Sequence, residues 1–257
     1  MLVIDGNRME YDSISEQIPL DKLQSKIVKI MLSSEKTYPY KSIKHLAFEL
    51  NLRKSSVDAS LALYDSNIGF EVFRNARCNE QYWERTNPGG FLSKENVKPS
   101  DAMNDIYRNG YKYGTECSTA IVIIYYKAVL DVYNAALFDE IFPEIYLMNW
   151  IHIDSDLGIT FDKDPIDDLP GDCIYFKNPD VDPETPEWRG ENAIDLGNGY
   201  YYGHGMGIKT AEEILYILNR FRKEDAEQPA HRLDGVTRPA IQHLADIYIN
   251  ILQGTGV

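Results

Sequence analysis

The most evident absence is that of a long apolar run. The longest, Ala120–Tyr126, is far shorter than the roughly 18 residues that a membrane-spanning helix requires. The amino terminus carries an acidic residue, Asp5, inside its apolar patch, and no small-residue cleavage site follows it. A secretory signal is therefore not expected, and we expect a protein that stays inside the cell without contacting the membrane.

Basic residues and cysteines are also scarce. The formal net charge of -14 argues against nucleic acid as a partner, because phosphate binding requires a surplus of Lys and Arg. An acidic surface suits lysine-rich partners, although acidity can also serve solubility alone. The cysteines Cys78, Cys117 and Cys173 form neither a disulfide framework nor a Cys-x-x-Cys zinc motif, so one thiol could be reactive.

The length of 257 residues and the hydrophobic content of 44% suit a single compact domain. The apolar spacing predicts that its first third, from about residue 14 to 66, is helical. Apolar residues at helical spacing predict one helix from Leu20 to Leu32 and two shorter ones around Ser42–Leu50 and Ser56–Leu63. The segment from Arg77 to Ser100, rich in Asn, Pro and Gly, predicts a loop with a short strand. We place a catalytic core at about residues 100–225.

Two sequence patterns predict helices in the last part of the chain. Thr210-Ala-Glu-Glu213 is a capping box that predicts the start of an amphipathic helix. A last helical pattern, from about Arg238 to Leu252, predicts a helical carboxyl-terminal tail.

An aspartate-rich segment between Asp154 and Asp172 is most simply a solvated acidic loop. It does not fit a calcium-binding EF-hand loop, which requires Gly at its sixth position and Glu at its twelfth. Counted from Asp154, this chain has Ile159 and Pro165 at those positions. We expect no metal there.

A predicted hairpin brings an acid and a histidine together. Residues 191–196 and 200–204 read as two strands around Gly197-Asn-Gly199, and two-residue turns are the commonest hairpin connection. Either two-residue turn places Glu191 and His204 on the same face of the hairpin, directly opposite or diagonal. The carboxylate could then hold the tautomer of the imidazole, whereas a three-residue turn would separate the two side chains.

Cys117 follows a glycine-containing loop and precedes the apolar run Ala120–Tyr126. The pattern does not decide between helix and strand for this run. At a helix amino terminus, the macrodipole and a nearby imidazolium would stabilise a Cys117 thiolate. A buried structural cysteine is the alternative, and it is the interpretation that we apply to Cys78 and Cys173.

Four blocks of the sequence together resemble the spore-coat transglutaminases of spore-forming bacilli. The blocks, in the order in which that family has them, are Glu116–Tyr126, Gly171–Pro179, Trp188–Asn192 and His204–Ile208. The similarity covers most of the chain up to about Lys223. Ser118 departs mildly from the family pattern, and the tail after Ala226 is longer.

The resemblance implies a compact α+β domain with a papain-like core related to the NlpC-type cysteine peptidases, acting without calcium or another cofactor. It implies that Cys117 is the nucleophile, His204 the histidine, Glu191 the carboxylate and Glu116 a second acid. The Cys117 thiolate would attack a glutamine γ-carboxamide, His204 would protonate the departing ammonia, and a lysine amine would resolve the thioester.

Transfer to lysine requires that water be kept from the thioester, and aromatic walls can provide this. The candidate substrate-binding residues are Phe70, Trp150 and Trp188, with Trp188 the best placed and Trp150 better explained by core packing. The expected partners are spore coat proteins in the mother cell. The same residues could instead serve a hydrolase, either a peptidase or a glutamine deamidase, and a non-catalytic coat scaffold is a more distant alternative.

Overall fold

The structure, a computed structural model, describes residues 1–254. Within these residues the helices are α1 (Tyr11–Ser15), α2 (Lys22–Ser33), α3 (Ile43–Asp65), α4 (Pro99–Arg108), α5 (Cys117–Tyr133), α6 (Ala135–Ile141), α7 (Ala211–Asn219) and α8 (Ile241–Gly254). The strands are β1 (Leu2–Ile4), β2 (Asn7–Arg8), β3 (Tyr38–Tyr40), β4 (Gly69–Phe70), β5 (Trp83–Arg85), β6 (Phe91–Ser93), β7 (Gly114–Thr115), β8 (Tyr146–Leu147), β9 (Thr160–Asp162), β10 (Cys173–Lys177), β11 (Gly190–Asp195), β12 (Tyr200–Gly203), β13 (Gly207–Thr210) and β14 (His231–Arg238).

The helical first third agrees with the sequence, with one difference. Helix α2 begins at a capping box between Asp21 and Gln24 and lies where the spacing predicted it. The two predicted helices that follow are one continuous helix, α3. Because α3 packs against α2, α5 and α8 on several sides, buried residues occur around its circumference and no single apolar stripe marks its full length.

The apolar run after Cys117 is a helix, α5, whose side chains are buried on nearly every face. The β-branched residues of this run made a strand equally acceptable from sequence. The length of the element and its position at the centre of the main hydrophobic core account for a helix without an amphipathic pattern. Within residues 1–254, no helix is both long and apolar enough to cross a membrane.

An antiparallel six-stranded sheet covers this helical core, in the order β13-β12-β11-β10-β14-β9. The carboxyl-terminal segment is therefore more than a helical tail, since β14 is inserted between β10 and β9. Helix α8 follows it and packs against α3, close to the predicted last helix. Helix α7 begins at Thr210 with the predicted capping box.

Two segments that the sequence indicated as loops contain ordered structure. Strands β5 and β6 pair with each other and β6 pairs with β8, so the segment from Arg77 to Ser100 contributes two strands. The aspartate-rich segment contains β9, and its last member, Asp172, is completely buried. Solvation was the wrong prediction for Asp172, because it lies between the guanidinium groups of Arg53 and Arg238.

Candidate active site

Cys117 is the first residue of α5. The two-residue strand β7 leads into it and pairs in parallel with β4. The chain therefore passes directly from a strand to the amino terminus of a buried helix, the context that favours a reactive cysteine. The first N–H groups of a helix have no intrahelical acceptor and point towards this end.

Glu116 is the N-cap of α5. Its carboxylate accepts the backbone N–H groups of Ser118 at 2.6 Å and Thr119 at 2.7 Å, and it also accepts both of their hydroxyls. The Thr119 hydroxyl in turn accepts the N–H of Asn149 at 2.8 Å. A full negative charge therefore sits beside Cys117 and opposes the stabilisation that the helix dipole offers to a thiolate.

The hairpin register differs from both predicted registers. Ala193 pairs with Gly203 and Asp195 with Tyr201, and the N–H of Leu196 donates to the carbonyl of Tyr200 at 3.0 Å. The turn therefore has three residues, with left-handed φ values of +79° at Gly197 and +86° at Gly199. The glycines at both ends of Gly-Asn-Gly make this longer turn available.

One residue more in the turn changes which side chains share a face. Asn192, and not Glu191, is on the face of Tyr202 and His204, since side chains alternate along each strand. The carboxylate of Glu191 instead lies over Gly203, where a Cβ atom would be only 2.9 Å from Oε1. The predicted cross-strand pairing of Glu191 with His204 was wrong.

His204 is held by neutral groups. It is 3% exposed, its Nε2 lies 3.1 Å from the carbonyl oxygen of Gly69, and its Nδ1 lies 3.2 Å from the hydroxyl of Tyr202. A carbonyl can only accept, so Nε2 carries the hydrogen and Nδ1 accepts from Tyr202. Burial lowers the pKa of His204 to about 4, so the imidazole is neutral at physiological pH and the expected imidazolium is absent.

Glu191 is a buried carboxyl with no cationic partner among residues 1–254. It is 4% exposed, and Oε1 has no hydrogen-bond partner in the same part of the chain. Burial, and then the charge of Glu116, raises its pKa well above the ordinary value. The raised pKa favours the protonated form of Glu191, which can act as a proton donor.

Burial also raises the pKa of the Cys117 thiol, an ionised Glu191 would raise it further, and the charge of Glu116 adds to the rise. Hydrogen bonds from Asn192 act in the opposite direction, and the Nδ2 atom of Asn192 lies 3.5 Å from Cys117 Sγ. The resting arrangement is thus a thiol, a neutral imidazole and a protonated carboxyl. A thiolate–imidazolium pair does not fit it.

Sequence reasoning missed Asn192, Tyr202 and the Gly69 carbonyl. The alternation of strand residues would have placed Asn192 on the face of His204, had the turn length been known. The acceptor at Gly69 is a backbone carbonyl, a group that every residue has, so the sequence cannot indicate it. Tyr202 lies two residues before His204, and that spacing puts both on one face.

A cavity of about 830 Å³ opens beside Cys117. Phe70 and Trp150 line it as predicted, and Trp150 is 36% exposed, so core packing was the wrong interpretation for that residue. Trp188 lies outside the lining and stacks on Phe221 with ring centroids 4.1 Å apart. The remaining apolar lining comes from both halves of the chain, namely Val72, Phe73, Ile153, Ile159, Phe161 and Leu233.

Two of the three cysteines lie close to the same amide. The Sγ atom of Cys173, which is buried, is 4.0 Å from Oδ1 of Asn192, on the other side of that amide from Cys117. Cys78 lies apart, with its Sγ atom 4.0 Å from the carbonyl of Trp83. Among residues 1–254, no group of three or more His, Cys, Asp and Glu side chains could hold a metal ion.

Comparisons with known proteins agree with one another on the family of this chain. The family model described as "TGL: Protein-glutamine gamma-glutamyltransferase" matches residues 1–248. Proteins named protein-glutamine gamma-glutamyltransferase from Bacillus mycoides and Bacillus cereus are each 42% identical over 238 residues, covering 93% of this chain and 86% of the relative. A transglutaminase from Geobacillus stearothermophilus, solved without its C-terminal extension, superposes with a TM-score of 0.76 at 47% identity, over 80% of this chain and 97% of that one.

These matches confirm the predicted fold class, an α+β single domain with a cysteine-enzyme core. They also confirm the resemblance from which the residue roles were drawn. The chain belongs to the protein-glutamine gamma-glutamyltransferase family, and it is an enzyme of the acyltransferase class.

Proposed function

We propose that this enzyme joins a protein glutamine to a protein lysine through a thioester on Cys117, without calcium. The observation that carries the proposal is the position of Cys117, at the start of a buried helix and in the lining of a largely apolar cavity. Apolar walls favour transfer over hydrolysis, because they keep water from the acyl-enzyme.

In the first half-reaction, the sulfur of Cys117 attacks the glutamine γ-carboxamide carbon and the C–N bond breaks. The departing nitrogen needs a proton, and we assign its donation to Glu191, whose pKa is raised by burial and by the charge of Glu116. Glu191 recovers a proton from the thiol, so the products are a thioester and ammonia. This transfers to Glu191 the acid role first expected of His204, whose N–H is bonded to Gly69.

In the second half-reaction, a neutral lysine amine attacks the thioester. The imidazole of His204, with its pKa lowered by burial to about 4, can accept the amine proton at Nδ1 once the Tyr202 hydroxyl turns away. The C–S bond then breaks, and His204 returns the proton to the sulfur as the isopeptide bond forms. Glu116 serves by capping α5 and by keeping Glu191 protonated.

The substrates we propose are spore coat proteins, with the mother cell and the forming coat as the location. This part rests on the resemblance of the four sequence blocks, and the relatives from Bacillus species are in keeping with it. The net charge of -14 suits lysine-rich acceptors. Calcium independence rests on the same resemblance.

The test is incorporation of a fluorescent primary amine into a glutamine-rich protein by the wild type and by Cys117→Ala, with a chelator present. Labelling by the wild type alone supports a calcium-independent transfer through Cys117. Equal labelling by the wild type and by Cys117→Ala contradicts the role of Cys117. Ammonia release without labelling indicates a hydrolase.

The aromatic walls have a test of their own, which is the ratio of amine incorporation to ammonia release. We expect Phe70→Ala and Trp150→Ala to lower this ratio several-fold, because water gains access to the thioester. Trp188→Ala provides the comparison, since its ring packs on Phe221. A ratio lowered only by Trp188→Ala would contradict the assignment of the walls to Phe70 and Trp150.

A further inference from the structure

The side-chain amide of Asn192 lies between two sulfur atoms. Its Nδ2 is 3.5 Å from Sγ of Cys117, and its Oδ1 is 4.0 Å from Sγ of Cys173. The residue is 9% exposed and lies on β11, where it pairs with Tyr175 of β10. The amide is therefore held by a sheet, and its N–H donor is directed at the reacting atom.

We propose that Asn192 donates a hydrogen bond to the oxyanion formed when Cys117 attacks the glutamine carboxamide, and that Cys173 fixes the orientation of this donor. The inference rests on the proposed function, since it requires Cys117 to be the nucleophile. When sulfur attacks, the C–S bond forms and the carbonyl π electrons move to oxygen. That oxygen lies one bond from the attacked carbon, so a donor beside Sγ is within reach of it.

A second donor is in place at the same point. The N–H of Cys117 begins α5 and has no intrahelical acceptor, while Glu116 takes the N–H groups of Ser118 and Thr119. The cap thus satisfies the next two donors and leaves the N–H of Cys117 for the substrate oxygen. A backbone N–H and a side-chain amide together form the two-donor arrangement that stabilises tetrahedral intermediates.

Cys173 decides which end of the amide faces Cys117. Burial raises the pKa of the Cys173 thiol well above its ordinary value, so this sulfur keeps its hydrogen and acts as a donor. The sulfur lies 4.0 Å from the carbonyl oxygen of Ile174 and 4.0 Å from Oδ1 of Asn192, and the contact with Oδ1 leaves the NH₂ group facing Cys117. Cys173 is in this sense a positioning residue and not merely part of the core.

The test compares two readouts in Asn192→Ala and Asn192→Leu. The first is kcat for amine incorporation, which passes through the oxyanion, and the second is alkylation of Cys117 by iodoacetamide, which forms none. We expect kcat to fall about 10²- to 10³-fold with KM for the glutamine peptide little changed, while alkylation changes less than about tenfold. Leu has nearly the shape of Asn but has no donor, so it should be as inactive as Ala.

Equal losses in both readouts would mean that Asn192 only tunes the thiol, and this would overturn the inference. So would retention of kcat in both variants. Failure of the proposed function is a separate result, because it would appear in the wild type as no incorporation or in Cys117→Ala as undiminished incorporation.

Cys173 is tested by the pair Cys173→Ser and Cys173→Ala. A serine hydroxyl can donate to Oδ1 and alanine cannot, so we expect the serine variant to keep a higher kcat than the alanine variant. A purely structural role predicts the reverse order, since a buried hydroxyl is the more disruptive change. An alanine variant as active as the serine variant would overturn the positioning role of Cys173.

Discussion

Two buried carboxyls near neighbouring strands of the large sheet differ in their charged partners. Asp172, just before β10, is 0% exposed and receives hydrogen bonds from Arg53 and Arg238 at 2.9 Å each and from the Leu169 N–H at 3.0 Å. Glu191, on β11, is 4% exposed, has no cationic partner within residues 1–254, and has one oxygen without any partner there.

The paired carboxyl fixes the fold, and the unpaired one is available for chemistry. Asp172 joins α3, through Arg53, to the end of β14, through Arg238, so it ties the first third of the chain to the carboxyl-terminal strand. Glu191 has no such role, and burial together with the charge of Glu116 raises its pKa well above the ordinary value, which favours the protonated form that a proton donor requires.

The largest expected effect comes from Glu191→Gln, which removes the exchangeable proton of the unpaired carboxyl. We expect turnover to fall about 10²- to 10⁴-fold, the usual contribution of a positioned acid or base. Amine incorporation under saturating glutamine peptide measures it.

The same substitution should not destabilise the protein. Because the pKa of Glu191 is higher in the folded protein than in the unfolded chain, folding above the unfolded-state pKa requires the uptake of a proton. The free-energy cost of this uptake grows with pH. Glu191→Gln removes this cost. The variant should therefore gain free energy of unfolding over the wild type, and the gain should be larger at pH 7 than at pH 4. A variant that loses stability at pH 7 would show that Glu191 is ionised and paired.

The matched change at the paired carboxyl, Asp172→Asn, should have the opposite effect on stability. It leaves the buried guanidinium of Arg53 with half of its compensation, and breaking a buried pair costs about 3–5 kcal/mol. Urea unfolding measures the loss. Asp168→Asn is the control, because the Asp168–Arg232 pair is partly exposed and should cost about 1 kcal/mol or less.

His204 gives a smaller effect that depends on pH. Burial lowers the pKa of folded His204 to about 4 from the ordinary value of 6.5. Below pH 6.5 the unfolded chain therefore binds a proton at His204 that the folded protein does not bind. Stability should therefore fall from pH 6.5 to pH 4, by about 3 kcal/mol from this group. His204→Gln should lose that much less stability over the same range, as measured by urea unfolding at each pH. An equal loss in both proteins would contradict a neutral His204.

The smallest expected effect is that of Glu116→Ala. Loss of the N-cap should cost about 0.5–2 kcal/mol of stability, while removal of the charge lowers the pKa of Cys117 and speeds its alkylation. Asp21→Ala removes the cap of α2 and should cost similar stability with no change at Cys117. Slower alkylation in Glu116→Ala would contradict the repulsion between Glu116 and the thiolate.

The sequence was sufficient to predict features that depend on residues close to one another along the chain. The capping box at Thr210 is a side-chain pattern that reaches over three residues, and α7 begins where the pattern indicates. The glycine-rich turn was visible too, but its length was not, because Gly-Asn-Gly permits turns of two or three residues. That single ambiguity placed Glu191 rather than Asn192 beside the histidine.

Tertiary contacts explain the other errors. No local pattern marks Asp172 as buried, since its partners Arg53 and Arg238 lie far away in sequence. The charge state of the site was also beyond the sequence, because the pKa values of His204 and Glu191 depend on burial. Of the residues named from the resemblance, Glu191 and Glu116 lie close enough to Cys117 to affect the pKa of its thiol, while the side chain of Trp188 stacks on Phe221.

The most direct test of this account is the pH dependence of Cys117 alkylation in the wild type, followed by mass analysis of the peptide that contains it. A neutral resting site predicts a rate that rises continuously from pH 5 through pH 9, because the pKa of the thiol is raised by burial and by the charge of Glu116. A rate that reaches a plateau between pH 5 and pH 7 would reveal a thiolate–imidazolium pair and contradict the account.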